Sequence, residues 1–155
     1  MEEIYLKYTP IYYIPLNQIH IFDWLILGNL DDALNFKGDA VLSVFNEIDK
    51  YKEHFSNKIW RYIDIYDDDE TNISIYFQSA FDFLDSILAE KKTCIIHCHA
   101  GINRSATIAV AYYMYKKKYN LFTIYENINI LRPGVISNIS FRKQLIRWSF
   151  EHNLL

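Results

Sequence analysis

The stretch "TCIIHCHAGINRS", Thr93 to Ser105, decides the fold. Thr93 to His97 is a short, β-branched, apolar run of the kind that forms a buried strand. "RSATIAVAYYMYKKK", Arg104 to Lys118, is an apolar helix with a basic C-terminus. Between them lies a loop with one glycine, Gly101. A strand that turns sharply into a helix aims backbone N–H groups and the helix dipole into one small concavity, which suits a phosphate. Gly101 supplies either a positive φ or a close backbone approach.

Outward from this segment, strands alternate with helices. "WLILGN" (Trp24 to Asn29) and "AVLSVF" (Ala40 to Phe45) read as short buried strands, and "IWRYIDIY" (Ile59 to Tyr66) as a third that runs into the acidic loop "DDDET". From Asn72 to Lys91 the period changes. Ile73, Tyr76, Phe77, Ala80, Phe81, Leu84, Ile87 and Leu88 recur three and four residues apart, the stripe of an amphipathic helix. Asn72 is placed to cap it, and the carboxylates before it suit its positive end. Helical stretches near Leu121–Leu131 and Ile139–Glu151 flank "RPGVISN". The alternation argues for an α/β fold, a sheet covered by helices, with its parallel or mixed character still open.

A length of 155 residues suits one domain, expected to span 1–155, with 51% hydrophobic residues to fill its core. Four glycines and three prolines argue against disorder and against a turn-rich sandwich. A net charge of -3 disfavours a general nucleic-acid binder. Cys94 and Cys98 are too close in sequence to frame a disulfide scaffold and too far apart along one strand to bridge, which points to a reducing, intracellular compartment. "MEEIYLKYTP" lacks the features of a signal peptide, "EHNLL" carries no prenylation signal, and no apolar run reaches the ~18–20 residues of a membrane span. A cytoplasmic protein with no membrane association is expected.

Cys98 stands at the foot of the cradle formed by His99, Ala100, Gly101, Ile102, Asn103 and Arg104. Helix N-termini and nearby cations favour a thiolate over a thiol, so the field that holds a phosphate also favours a nucleophilic sulfur. Arg104, on the first helical turn, can bind two oxyanions with its planar fork. Ser105 is either a further catalytic hydroxyl or a simple cap. To hold a metal, His97 and His99 would have to converge with Cys98, yet adjacent residues at a strand end point to alternate sides. No third or fourth ligand appears at zinc-like spacing, so no metal and no cofactor are expected.

"HCHAGINRS" resembles the Cys-x5-Arg-Ser/Thr signature of the protein tyrosine phosphatase superfamily. Satellites along nearly the whole chain resemble its dual-specificity branch: "LILGNLDDA", the acid loop and helix "YDDDETNISIYFQSAFDFLDSI", "SATIAVAYYM" and "RPGVISNISFRKQL". His99, Asn103 and Ser137 depart from the residues usual at their positions, and none of these changes removes a group the chemistry needs. The resemblance implies a mostly parallel or mixed sheet of about five strands flanked by helices. It also implies hydrolysis of phosphotyrosine and phosphoserine or phosphothreonine in proteins.

The roles it implies are a Cys98 nucleophile, an Arg104 phosphate ligand and a Ser105 hydroxyl that assists breakdown of the phosphoenzyme. Asp67 is the expected general acid and base, with Asp68 its rival through a shift of one residue. His97 is expected to orient the cradle or tune Cys98. Asn138 either ties the last loop to the cradle or caps a helix. Cys94 is read as core, with a redox partnership to Cys98 as the alternative. The partner expected is a phosphorylated protein; the rival functions are a silent phosphoprotein-binding module and a phosphatase of lipid or RNA 5′-phosphates.

Overall fold

The structure, a computed structural model, describes residues 18–155; the expectations that rest on "MEEIYLKYTP" lie outside them. Five strands form one sheet: β1 (Ile19–Phe22), β2 (Leu25–Gly28), β3 (Ala40–Val44), β4 (Ile59–Ile63) and β5 (Cys94–His97). Their order is β1-β2-β5-β3-β4, with β1 antiparallel to β2 and every other pairing parallel. The sheet is therefore mixed, as the resemblance implied. β5 lies at its centre between β2 and β3, so the loop after it opens at the C-terminal edge of a parallel core, where α/β folds place their sites.

Among the described residues the α-helices are α1 (Leu30–Leu34), α2 (Ile48–Tyr51), α3 (Phe77–Ala89), α4 (Arg104–Lys117), α5 (Leu121–Leu131) and α6 (Ile139–Glu151). The two faces of the sheet are covered unequally. Leu25, Leu27, Ala40, Leu42, Cys94 and Ile96 face a large core shared with α3, α4, α5 and α6. Val41 and Ile95 face a smaller one with Ala33 and Phe55. Residues alternate between the faces along each strand, so one run of apolar residues serves both cores.

α4 explains why the sequence showed no polar stripe there. Every residue from Arg104 to Met114 is buried, with α3, α5 and α6 packed around the helix and the sheet beneath it. Its polar end begins only at Lys116 and Lys117.

The helix expected from Asn72 starts later. A 3-10 turn over Ser74–Tyr76 leads into α3 at Phe77, and Asn72 does not cap it. The Asn72 side chain accepts instead from Ser74 Oγ, while the Ser74 N–H donates to Gln144 Oε1 on α6, at 3.0 Å. A tertiary acceptor has taken the donor that a local cap would have used. Among the described residues, no helix is long and apolar enough to cross a membrane.

Candidate active site

The β5–α4 loop brings the expected residues together. Cys98 is 2% exposed and packs with Leu30, Phe45 and Ile48. Two donors converge on its sulfur: the Gly101 N–H at 3.2 Å and the Ser105 hydroxyl at 3.1 Å. Ser105 is fully buried, and its hydroxyl serves the sulfur rather than the backbone of its own helix. Gly101 adopts φ +70°, and a Cβ there would stand 2.6 Å from the Gly28 carbonyl oxygen. The close approach and the positive φ both demand glycine.

The cradle is fixed from outside at several points. The Leu30 N–H donates to the His99 carbonyl, and the Ile136 N–H to that of Ile102. Arg132, 1% exposed, donates through Nη1 to the Gly101 carbonyl at 2.6 Å. Burial works against its charge, and Asp32 and Cys98 work in its favour. Ile136 is a β-branched residue at φ +53°, a strained conformation held where the last loop meets the cradle.

Arg104 is more than nine-tenths buried. Its Nη1 is tethered to Asn46 Oδ1 at 2.9 Å and to the Ile65 carbonyl at 3.1 Å. Its Nε is buried and meets no acceptor among the described residues. The tether turns the guanidinium and leaves a donor edge for an oxyanion.

His97 hydrogen-bonds the backbone of Cys98, and its partners fix its protons. Nδ1 lies 2.9 Å from the Cys98 carbonyl, which can only accept, so Nδ1 carries the hydrogen. Nε2 then accepts from Ser43 Oγ at 2.6 Å, and that hydroxyl in turn accepts from Trp60 Nε1 at 2.8 Å. Burial pushes the imidazole down to about 4, which keeps it neutral. His99, at the rim, points away with its Nε2 3.9 Å from Glu47 Oε1 and its side chain largely exposed. The two histidines diverge, and among the described residues no group of three or more His, Cys, Asp or Glu could hold a metal. Cys94 sits in the larger core and Cys98 in a separate cluster, so the two thiols are not brought together.

The acid loop separates its carboxylates. Asp68 Oδ1 accepts from Thr71 Oγ1, the Thr71 N–H and the Glu70 N–H, which closes a local turn. The Thr71 hydroxyl first, then the two N–H groups, hold Asp68 below the usual carboxylate range. Asp67 turns instead toward the cradle, where Asn103 Nδ2 donates to its Oδ2 and Asn138 Nδ2 to its Oδ1, both at 2.8 Å. Asn138 also caps α6, accepting from the Phe141 N–H. Asn138 thus contacts the acid loop through its amide and the cradle residue Asn103 through its backbone N–H. An open cavity of about 620 Å³ runs alongside, lined by Asp67, Asp68, Asn103, Asn138 and Lys143.

Asn46, Ser43, Trp60 and Arg132 had no assigned place in the site from the sequence. Arg132 alone carried a signal, standing at the head of "RPGVISN". Asn46 and Ser43 lie 58 and 54 residues from Arg104 and His97, and Trp60 reaches the loop only through Ser43.

This arrangement can bind a tetrahedral oxyanion over a sulfur nucleophile, with a carboxyl group at one side. The family model described as "Dual specificity phosphatase, catalytic domain" matches residues 26–151. Human dual specificity protein phosphatase 7 is 30% identical over 146 residues, covering 90% of this chain and 34% of its own length. Human dual specificity protein phosphatase 2 is 32% identical over 136 residues, covering 84% and 43%. The chain thus spans less than half the length of these relatives. Among solved structures, OH1 from the Orf virus, described as a tyrosine phosphatase with triple substrate specificity, superposes with a TM-score of 0.76 at 27% identity, covering 90% of each chain. DUSP15 superposes with a TM-score of 0.79 at 25% identity, covering 90% of this chain and 93% of its own. The chain belongs to the dual specificity phosphatase catalytic-domain family.

Proposed function

We propose that this chain is a cysteine-dependent phosphatase acting on phosphotyrosine and on phosphoserine or phosphothreonine in proteins. The observation that carries this reading is the guanidinium of Arg104, buried and tethered by Nη1, with a buried Nε that no group among the described residues accepts from. A buried cation with an unused donor edge beside a sulfur is a site built for a dianion.

In the first half-reaction the phosphate rests on the N–H groups of residues 99–104 and on Arg104. The Cys98 thiolate attacks phosphorus, the P–O bond to the side chain breaks, and the leaving oxygen takes its proton from the Asp67 carboxyl group. Asp68 is the poorer acid, because its carboxylate is committed to its own turn. In the second half-reaction Asp67, now ionised, takes a proton from water. That water attacks phosphorus, and the P–S bond breaks to return the thiolate. The Ser105 hydroxyl and the Gly101 N–H, which already point at the sulfur, stabilise it as it leaves. His97 holds the carbonyl of Cys98 and acts as a positioning residue.

The test is hydrolysis of phosphotyrosyl and phosphothreonyl peptides with a chelator present, comparing the wild type with Cys98→Ser. Turnover of both peptides, abolished by the substitution, is expected. Turnover that survives Cys98→Ser would overturn the mechanism. Tight binding of either peptide with no turnover would replace the enzyme with a recognition module, and turnover of inositol phospholipid or RNA 5′-phosphate alone would replace the substrate.

A further inference from the structure

We propose that Asn103 is a positioning residue that locks the general acid to the phosphate cradle, so that the acid loop is closed before substrate arrives. This rests on the phosphatase reading above and adds a residue that the reaction scheme does not need as a chemical participant.

The geometry is a three-way junction. Asn103 belongs to the cradle and immediately precedes Arg104. Its Oδ1 accepts from the Asn138 N–H and from Ser137 Oγ, each at 3.2 Å. A backbone N–H can only donate, so that atom of Asn103 is the oxygen, and the amide nitrogen faces Asp67 Oδ2. The same logic fixes Asn138. Its Oδ1 accepts from the Phe141 N–H, so its nitrogen is the donor to Asp67 Oδ1 and to the Asp68 carbonyl. Each oxygen of Asp67 therefore receives one N–H from a different loop, which sets both the position and the plane of the carboxyl group. Each oxygen also keeps a second lone-pair direction for a proton and a leaving group.

Asn103 and Arg104 act on neighbouring points of one segment. Arg104 Nη1 donates to the Ile65 carbonyl and Asn103 Nδ2 to the Asp67 side chain. Two consecutive cradle residues thus hold the acid loop two residues apart, and the phosphate ligand and the proton donor share one frame. A serine or alanine at position 103 is too short to reach both Asp67 and the 137–138 segment, and Asp67 would then depend on Asn138 alone.

A positioned acid contributes about 10²–10⁴ in rate when the leaving group needs a proton. It contributes little when the leaving group is already stable as an anion. The experiment measures kcat/KM for phenyl phosphate, a poor leaving group, and for 2,4-dinitrophenyl phosphate, a good one. The proteins are the wild type, Asn103→Ala, Asp67→Asn and the double variant, with Asn103→Ser as a milder probe.

Asn103→Ala and Asn103→Ser are expected to lose about 10–100-fold on phenyl phosphate and less than about 3-fold on the dinitrophenyl ester. In the Asp67→Asn background, adding Asn103→Ala is expected to cost less than about 3-fold on phenyl phosphate, because the group it positions is gone. Equal losses on both esters, or full additivity in the double variant, would overturn the proposal and leave Asn103 a structural residue. Retained turnover of the dinitrophenyl ester shows that fold and cradle are intact. Absence of turnover in the wild type would instead remove the phosphatase reading and this proposal with it.

Discussion

Ser105 shows how much one hydroxyl can decide. It is fully buried on the first turn of α4, and its hydroxyl donates to Cys98 Sγ at 3.1 Å instead of capping the helix. A hydrogen bond to a charged partner is worth about 1.5–3 kcal/mol. In the proposed mechanism the sulfur needs it most when it leaves phosphorus as a thiolate. Ser105→Ala should therefore slow breakdown of the phosphoenzyme by roughly 10–100-fold while sparing its formation. Rapid mixing with p-nitrophenyl phosphate should then show a burst of nitrophenolate close to one per enzyme, followed by a slow steady rate. A variant without a burst, and with both steps slowed alike, would return Ser105 to a packing role. That Cys98, Gly101, Arg104 and Ser105 would share one strand–loop–helix turn was legible in the sequence, because spacing within nine residues sets their placement. Asn46 was not, since it meets Arg104 across 58 residues of chain, and only the pairing of β3 beside β5 brings it there.

At the scale of elements, the acid loop is held mainly by α6. Besides the Asn138 amide, Gln144 spans the gap with both ends of its side chain: Oε1 accepts from the Ser74 N–H and Nε2 donates to the Thr71 carbonyl at 2.9 Å. These bonds are why α3 begins at Phe77 and why the expected Asn72 cap is missing; helix periodicity was readable, but a cap that competes with a partner 70 residues away was not. The same limit hid β1, whose four residues "IHIF" alternate too briefly to stand out. Gln144→Ala leaves two partly buried backbone groups unpaired, each costing about 1–3 kcal/mol where water cannot compensate. The 67–76 segment should then exchange its amide hydrogens about tenfold or more faster, while β5 and α4 keep their protection. Unchanged exchange across 67–76 would mean that Asn138 and Asn103 hold the loop without α6 behind them.

At the scale of the molecule, His97 joins the site to the smaller of the two cores. It stands at the end of β5 between Phe45 and Phe55, with ring centroids 5.1 and 5.7 Å away, and passes a hydrogen bond from Trp60 on β4 through Ser43 on β3 to the backbone of Cys98. The relay works only with a neutral ring, because Nε2 must accept. Burial, the largest cause, and the Arg104 charge push His97 from 6.5 down to about 4, against the hydrogen bond to the Cys98 carbonyl. The folded protein therefore binds this proton less readily than the unfolded chain does. Stability from this group is fully present above pH 6.5, falls as the unfolded chain protonates first, and stops falling near pH 4. Between pH 7.5 and 5.0 the loss should be about 2 kcal/mol, since the unfolded histidine is then mostly charged and the folded one mostly neutral. The measurement is the free energy of urea unfolding at the two pH values for the wild type and for His97→Asn. The variant should be less stable at pH 7.5, because the relay and the ring packing are lost. It should also lose about 2 kcal/mol less than the wild type on acidification. Equal pH slopes in the two proteins would mean that the ring takes up its proton in the folded state as easily as in the unfolded one, and the directed chain from Trp60 to Cys98 would have to be abandoned.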